Sequence, residues 1–371
     1  MRRIGSIDTI RGICMWIMIF GHILEWWISF ESYWFKEWMF AFLESVGATG
    51  FLFVSGISTA LAYKNSLIKS NNSKEFNLLT VRKIYFIRAI IILLIGFLYN
   101  TLFVIIWSGD FADIWTWYVL QTIGFSLIIA WPFLKMSKYI RIIVSIFVFA
   151  INIILLELLL PYEGQPNFFG FSFHILYNPS DQYIILTYFG IFLLGTVIGD
   201  ILFDINIIED QIKRKYKFKS KFILPSLLIG TCVLIFGIFF QFPNFLFLGT
   251  LSSLTYSWGL VLVVFSILLA IEVFNVFKTT KSYKLLYYFS FYSFTIYLSH
   301  NLLYFLFPGQ FNFIEILIIW VIGTALCGFL FRLMYHKLGP KASLKAVINI
   351  LSYKLSMKIK LYDVLKFKNQ K

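Results

Sequence analysis

The chain has 371 residues, 60% of them hydrophobic and 20% aromatic, and only 13% charged. A water-soluble domain of this length could not bury so much apolar surface, so the expected solvent is a lipid bilayer. The formal charge of +14 would suit a nucleic-acid partner, but the placement of the basic residues excludes that class, as the pass along the chain shows.

Ten apolar runs are long enough to span a membrane, at residues 10–30, 39–63, 87–107, 114–134, 140–160, 184–203, 222–241, 250–272, 285–307 and 313–335. The expected fold class is all-α, a polytopic integral membrane protein with about ten transmembrane helices. With the N-terminus inside, every Lys and Arg except Lys36 falls on the inner side. That asymmetry places both termini in the cytoplasm of a multi-pass cell-membrane protein. The positive charge then anchors the inner face on the lipid bilayer, and no nucleic-acid partner is expected. Cys14, Cys232 and Cys327 all lie in apolar runs, so neither a disulfide framework nor a metal site is expected.

The first run, "SIDTIRGICMWIMIFGHILEWW", contains Arg11 and His22. Such groups are costly in hydrocarbon and need a partner, a wet cavity or a function. Eleven residues of α-helix return to within about 20° of the starting face while rising roughly 16 Å. Arg11 and His22 therefore share a face, the arginine near the inner boundary and the histidine in the outer half. An anionic ligand with a long thin arm would fit that spacing, and coenzyme A has this shape. The plain alternative is an arginine that snorkels and a histidine that packs.

Glu44 in the second run and Gln121 in the fourth fall roughly 10 Å below the outer boundary, as His22 does, and His300 in the ninth lies at a similar depth. Four polar groups from four helices in one layer point to a polar cavity. "TVRKIYFIRAI" brings Arg82, Lys83 and Arg88 to the start of the third run, and Arg88, the deepest, is the candidate to bind phosphates with Arg11. The outer ends carry Trp26, Trp27, Trp34, Trp38, Trp107, Trp115 and Trp117. They read as an interfacial belt, with stacking on a sugar as the sharper alternative. The connection 161–183 is a candidate lid. "KRKYKFKSK" (Lys213–Lys221) reads as an anchor to anionic lipid. Residues 341–371 form a basic tail with helical spacing, expected to lie on the cytoplasmic membrane surface as an amphipathic C-terminal helix.

Several of these stretches resemble one family. Asp8, Arg11, Gly12 and His22 match the first-helix signature of the membrane-bound acyltransferase superfamily. Within it, the heparan-α-glucosaminide N-acetyltransferase-like proteins of the prokaryotic branch fit best. "FLFVSGIS" (Phe51–Ser58), "VLQTIGFSLI" (Val119–Ile128), "FGIFLLGTVIGD" and "SFTIYLSH" are similar to later blocks in the same order. The animal lysosomal enzymes place their histidine later and have an asparagine where Phe20 stands.

The resemblance implies a membrane-embedded enzyme over 1–340, transferring acetyl from cytosolic acetyl-CoA to an amine or hydroxyl of a glycan or glycolipid on the outer side. The prokaryotic spacing implies an acceptor other than heparan. His22 is then the catalytic residue, as general base or acetylated relay, with Glu44 orienting it. Arg11, Arg88, Gln121 and His300 are the expected donor-binding residues. A homo-oligomer is compatible with this reading. The rival classes are a transporter or flippase of an anionic sugar or lipid, and a ligand-sensing membrane protein.

Overall fold

The computed structural model describes residues 2–72, 76–178, 185–247, 249–276 and 284–357. Among these the chain is helical, without strands. In order the helices are α1 (Gly5–Trp27), α2 (Tyr33–Asn71), α3 (Leu78–Phe103), α4 (Val119–Phe133), α5 (Lys138–Leu159), α6 (Phe168–Tyr177) and α7 (Ile185–Asn206). There follow α8 (Gln211–Phe218), α9 (Leu224–Phe239), α10 (Leu251–Phe274), α11 (Lys284–Phe291), α12 (Ser293–Ser299), α13 (Phe313–Lys337) and α14 (Leu344–Ser356). Side-chain oxygens start many of them: Asn77, Ser137, Asn167, Asp210, Thr250 and Asn312 each accept from a backbone N–H of the following turn.

Eight stretches among the described residues are long and apolar enough to cross a membrane. They are α1, α2, α3, α5, α7, the continuous Gln211–Phe239 segment that joins α8 to α9, α10 and α13. The other two expected spans take different forms. The run 114–134 becomes α-helical only at Val119, and the 15 residues of that helix reach about 22 Å, short of a hydrocarbon core of about 30 Å. The run 285–307 is broken at Tyr292 and tightens to a 3-10 turn over His300–Phe305. A side chain entering the hydrogen-bond ladder accounts for the break, since Ser343 donates to the Phe291 carbonyl at 2.8 Å. Thr295 Oγ1 in turn donates to the Ala342 carbonyl at 3.0 Å and holds the same two segments together.

The chain packs into two compact units, Met1–Val54 with Asp204–Lys345, and Ser55–Phe203 with Ala346–Lys371. In the first, Phe20, Ile23, Leu24, Trp27 and Ile28 of the α1 end form a buried cluster with Ile316 of α13. In the second, Ala60, Tyr63, Val81, Trp131 and Leu134 form another. There the α2 glycine of "FLFVSGIS" has a steric reason: a Cβ on Gly56 would lie 2.1 Å from the Phe192 carbonyl oxygen of α7. Arg141 of α5 and Asp200 of α7 form a buried ion pair, and Thr196 accepts from the guanidinium at 3.1 Å. Each charge makes the other tolerable in an apolar interior. Of the expected tail, α14 buries Ile348, Ser352 and Ser356 at helical spacing, and residues 358–371 lie outside the described residues.

Candidate active site

The outer end of α1 is tightly held. An α-helix ends with carbonyls that lack partners. Here the N–H groups of Gly309 and Phe311 donate to the carbonyls of Trp26 and Trp27, each at 2.9 Å, and the Trp27 indole donates to the Leu303 carbonyl at 2.7 Å. This lashing fixes the last turn of α1 against the segment that follows His300.

On that turn His22, Glu25 and Trp26 lie at i, i+3 and i+4 and so share a face. His22 Nδ1 is 3.0 Å from Glu25 Oε2, with the two side chains 34% and 39% exposed. The Trp26 ring stacks on the His22 imidazole, centroids 4.8 Å apart and planes 20° apart. His300, buried, brings its ring to 4.6 Å from that of His22 and 6.0 Å from that of Trp26. Tyr304 meets Trp26 edge-on at 5.8 Å. A carboxylate only accepts, so its contact assigns the His22 proton to Nδ1 and leaves Nε2 with a lone pair. His300 Nδ1 lies on the Tyr297 carbonyl, which assigns the same tautomer to the second ring.

His22 and His300 therefore come together as their depths suggested. The carboxylate on His22 among the described residues is Glu25, which sequence reasoning missed. Its position three residues after the histidine was the available signal. Glu44 lies in α2, and its side chain is outside the described residues.

Arg11 shares the face of α1 with His22, and both meet the broken 284–305 run. Its guanidinium donates to Asp8 at 3.3 Å and to Ser290 at 3.2 Å, and Ser290 donates to the same Asp8 oxygen at 3.0 Å. Arg3 closes the other side of Asp8 at 2.6 Å. Gly12 completes the motif sterically, because a Cβ there would lie 2.2 Å from the Leu286 carbonyl oxygen of α11. Asp8, Arg11 and Gly12 thus dock α11 onto α1.

The remaining expected residues lie in the second unit. Gln121 is buried and locally engaged: it accepts from Asn100 at 2.9 Å and from the Tyr118 N–H at 3.3 Å, and donates to the Ile114 carbonyl at 3.3 Å. Arg88 lines a cavity with Thr59, Tyr63, Ser66 and Tyr85. Its guanidinium makes no hydrogen bond or ion pair among the described residues. Trp115 and Trp117 both donate to the Ile175 carbonyl, at 3.0 and 2.6 Å, so these two tryptophans tie down α6. The side chain of Trp107 lies outside the described residues.

A search of curated proteins finds no match to this chain. The family model for the catalytic region of heparan-alpha-glucosaminide N-acetyltransferase matches residues 3–242, well over half of the chain and including Asp8, Arg11 and His22. The chain therefore belongs to the heparan-alpha-glucosaminide N-acetyltransferase catalytic family, a membrane enzyme of the acyltransferase type.

Proposed function

We propose that this protein transfers an acetyl group from cytosolic acetyl-CoA to an amine or hydroxyl of a glycan or glycolipid on the outer side of the cell membrane. The observation that carries the reading is the His22–Glu25 contact, which leaves Nε2 as an available base on a partly exposed ring. As the acceptor attacks the thioester carbonyl, its proton passes to Nε2, and the carboxylate at Nδ1 steadies the charge that develops on the imidazole.

Arg88 is the residue assigned to the donor's phosphates. A guanidinium lining a cavity, without an anionic partner among the described residues, is suited to a phosphate ester. Arg11, already held by Asp8 and Ser290, is assigned to supporting α1 instead. Both termini are assigned to the cytoplasm, on the distribution of Lys and Arg.

The test is transfer by purified protein in vesicles, with acetyl-labelled acetyl-CoA supplied on one side and a membrane glycolipid extract on the other. Labelled glycolipid that depends on His22 is the expected result. Absence of saturable acetyl-CoA binding would return the chain to the transporter or sensor classes.

A further inference from the structure

We propose that Lys36 binds an anionic group on the acceptor, so that the protein selects acidic glycans or glycolipids. The inference rests on the acetyl-transfer reading above and on the orientation proposed with it. On that orientation every other Lys and Arg lies on the inner side, and Lys36 is the exception. It also stands in the first turn of α2, the end of a helix where the macrodipole disfavours a cation. A charge placed against both tendencies needs a reason.

An α-helix turns 100° per residue, so Tyr33, Lys36 and Phe40 share one face of α2 while Trp34 and Trp38 stand about half a turn away. The two tryptophans are exposed, as members of an interfacial belt are. Lys36 belongs to the other side, the one that turns toward α1. There Phe35, Met39 and Phe40 pack against the buried cluster at the outer end of α1. The tip of the Phe40 ring lies 4.0 Å from where a Cβ on Gly21 would stand, and Gly21 immediately precedes His22. The Lys36 ammonium is 5.4 Å from the centre of that same ring and 4.4 Å from the centre of the Tyr33 ring. It is thereby held beside the last turns of α1, which carry His22 and Glu25.

Lys36 Nζ donates to the Tyr33 hydroxyl at 2.6 Å, which uses one of its three N–H groups. Aromatic faces hold an ammonium in position and leave its charge in place. Glu25 is near enough to attract Lys36, but its carboxylate is engaged by His22 at 3.0 Å. Glu31 and Glu37 are exposed, and among the described residues Lys36 makes no ion pair with them or with Glu25. A fixed cation with N–H groups to spare, next to the proposed base, suits a phosphate, sulfate or carboxylate. An acceptor tethered there by its anion would present a neighbouring amine or hydroxyl to His22, and that positioning lowers the entropic part of the barrier.

The experiment uses the purified full chain in phosphatidylcholine vesicles with acetyl-labelled acetyl-CoA. The membrane glycolipid extract is first split on an anion exchanger into neutral and acidic fractions. Wild type should label the acidic fraction. Lys36→Gln should raise the amount of that fraction needed for the half-maximal rate by roughly fivefold, the upper range for a partly exposed ion pair, and should flatten its dependence on salt. Lys36→Glu should raise it further, and Lys36→Arg, which keeps the charge, should stay near wild type. Acetyl-CoA affinity at the wild-type value certifies the fold of each variant.

Label confined to the neutral fraction, or an unchanged requirement for the acidic fraction in Lys36→Gln, would overturn the proposal. So would an equal loss on both fractions that responds to phosphatidylglycerol in the vesicles, which would assign Lys36 to a lipid headgroup instead. A wild-type protein that labels neither fraction would refute the acetyl-transfer reading itself, and this inference with it.

Discussion

Glu25 offers the sharpest test of the candidate site, because two substitutions separate its charge from its position. In Glu25→Gln the amide carbonyl can still accept the His22 Nδ1 proton, so the reactive tautomer survives and only the negative charge is lost. A buried charge-assisted hydrogen bond contributes about 1.5–3 kcal/mol. Here the two side chains are 34% and 39% exposed, and solvent screens the pair, so about 1–1.5 kcal/mol is the reasonable scale. That converts to a rate loss of roughly fivefold to twelvefold. In Glu25→Ala the acceptor for Nδ1 is gone as well, and the ring is free to carry its proton on Nε2, where it cannot act as a base. The loss should then approach about a hundredfold, the lower range of what a positioned base contributes. The assay is single-turnover acetyl transfer on folded protein, with acetyl-CoA affinity measured in parallel and expected to stay near wild type. Wild-type transfer in Glu25→Ala would refute the pairing of this carboxylate with the catalytic imidazole.

Four further outcomes are expected. His22→Ala should lose transfer by more than about a hundredfold while retaining acetyl-CoA affinity; a merely structural histidine would instead lower folded yield and leave the rate per folded molecule intact. Arg88→Gln should weaken acetyl-CoA binding by about 1.5–3 kcal/mol, the scale of a charge-assisted hydrogen bond, and unchanged affinity by titration would remove Arg88 from the donor site. Gly12→Ala should cost about 1–3 kcal/mol of stability, because its Cβ would enter the Leu286 carbonyl oxygen; an unaltered thermal midpoint in detergent would contradict the close α1–α11 contact. Cysteines introduced at Glu163 and Lys213 should react with an impermeant reagent from opposite sides of a sealed vesicle, and labelling of both from one side would reject the orientation drawn from the basic residues.

Much of this protein is written locally. Span-length apolar runs, the basic residues between them and the cap residues that start helices such as α3 and α10 are properties of short stretches of chain. They hold whatever the neighbouring elements do. The shared face of Arg11 and His22 follows from helical geometry alone, and that geometry also places Glu25 and Trp26 beside the histidine.

What each of these residues meets is decided by partners far away in sequence. Arg11 reads from the sequence as a candidate phosphate ligand, and only the fold shows that Ser290, 279 residues on, meets its guanidinium and ties α1 to α11. The ninth apolar run reads as one continuous helix, because the Ser343 hydroxyl that takes its Phe291 carbonyl lies 52 residues further on. Gln121 reads from the sequence as a cavity residue, and only the fold shows that Asn100 donates to its carbonyl oxygen. Hydropathy and periodicity say which face of a helix is polar. Hydrogen bonds and close backbone approaches between distant segments decide which polar groups are already satisfied, and so which remain for chemistry.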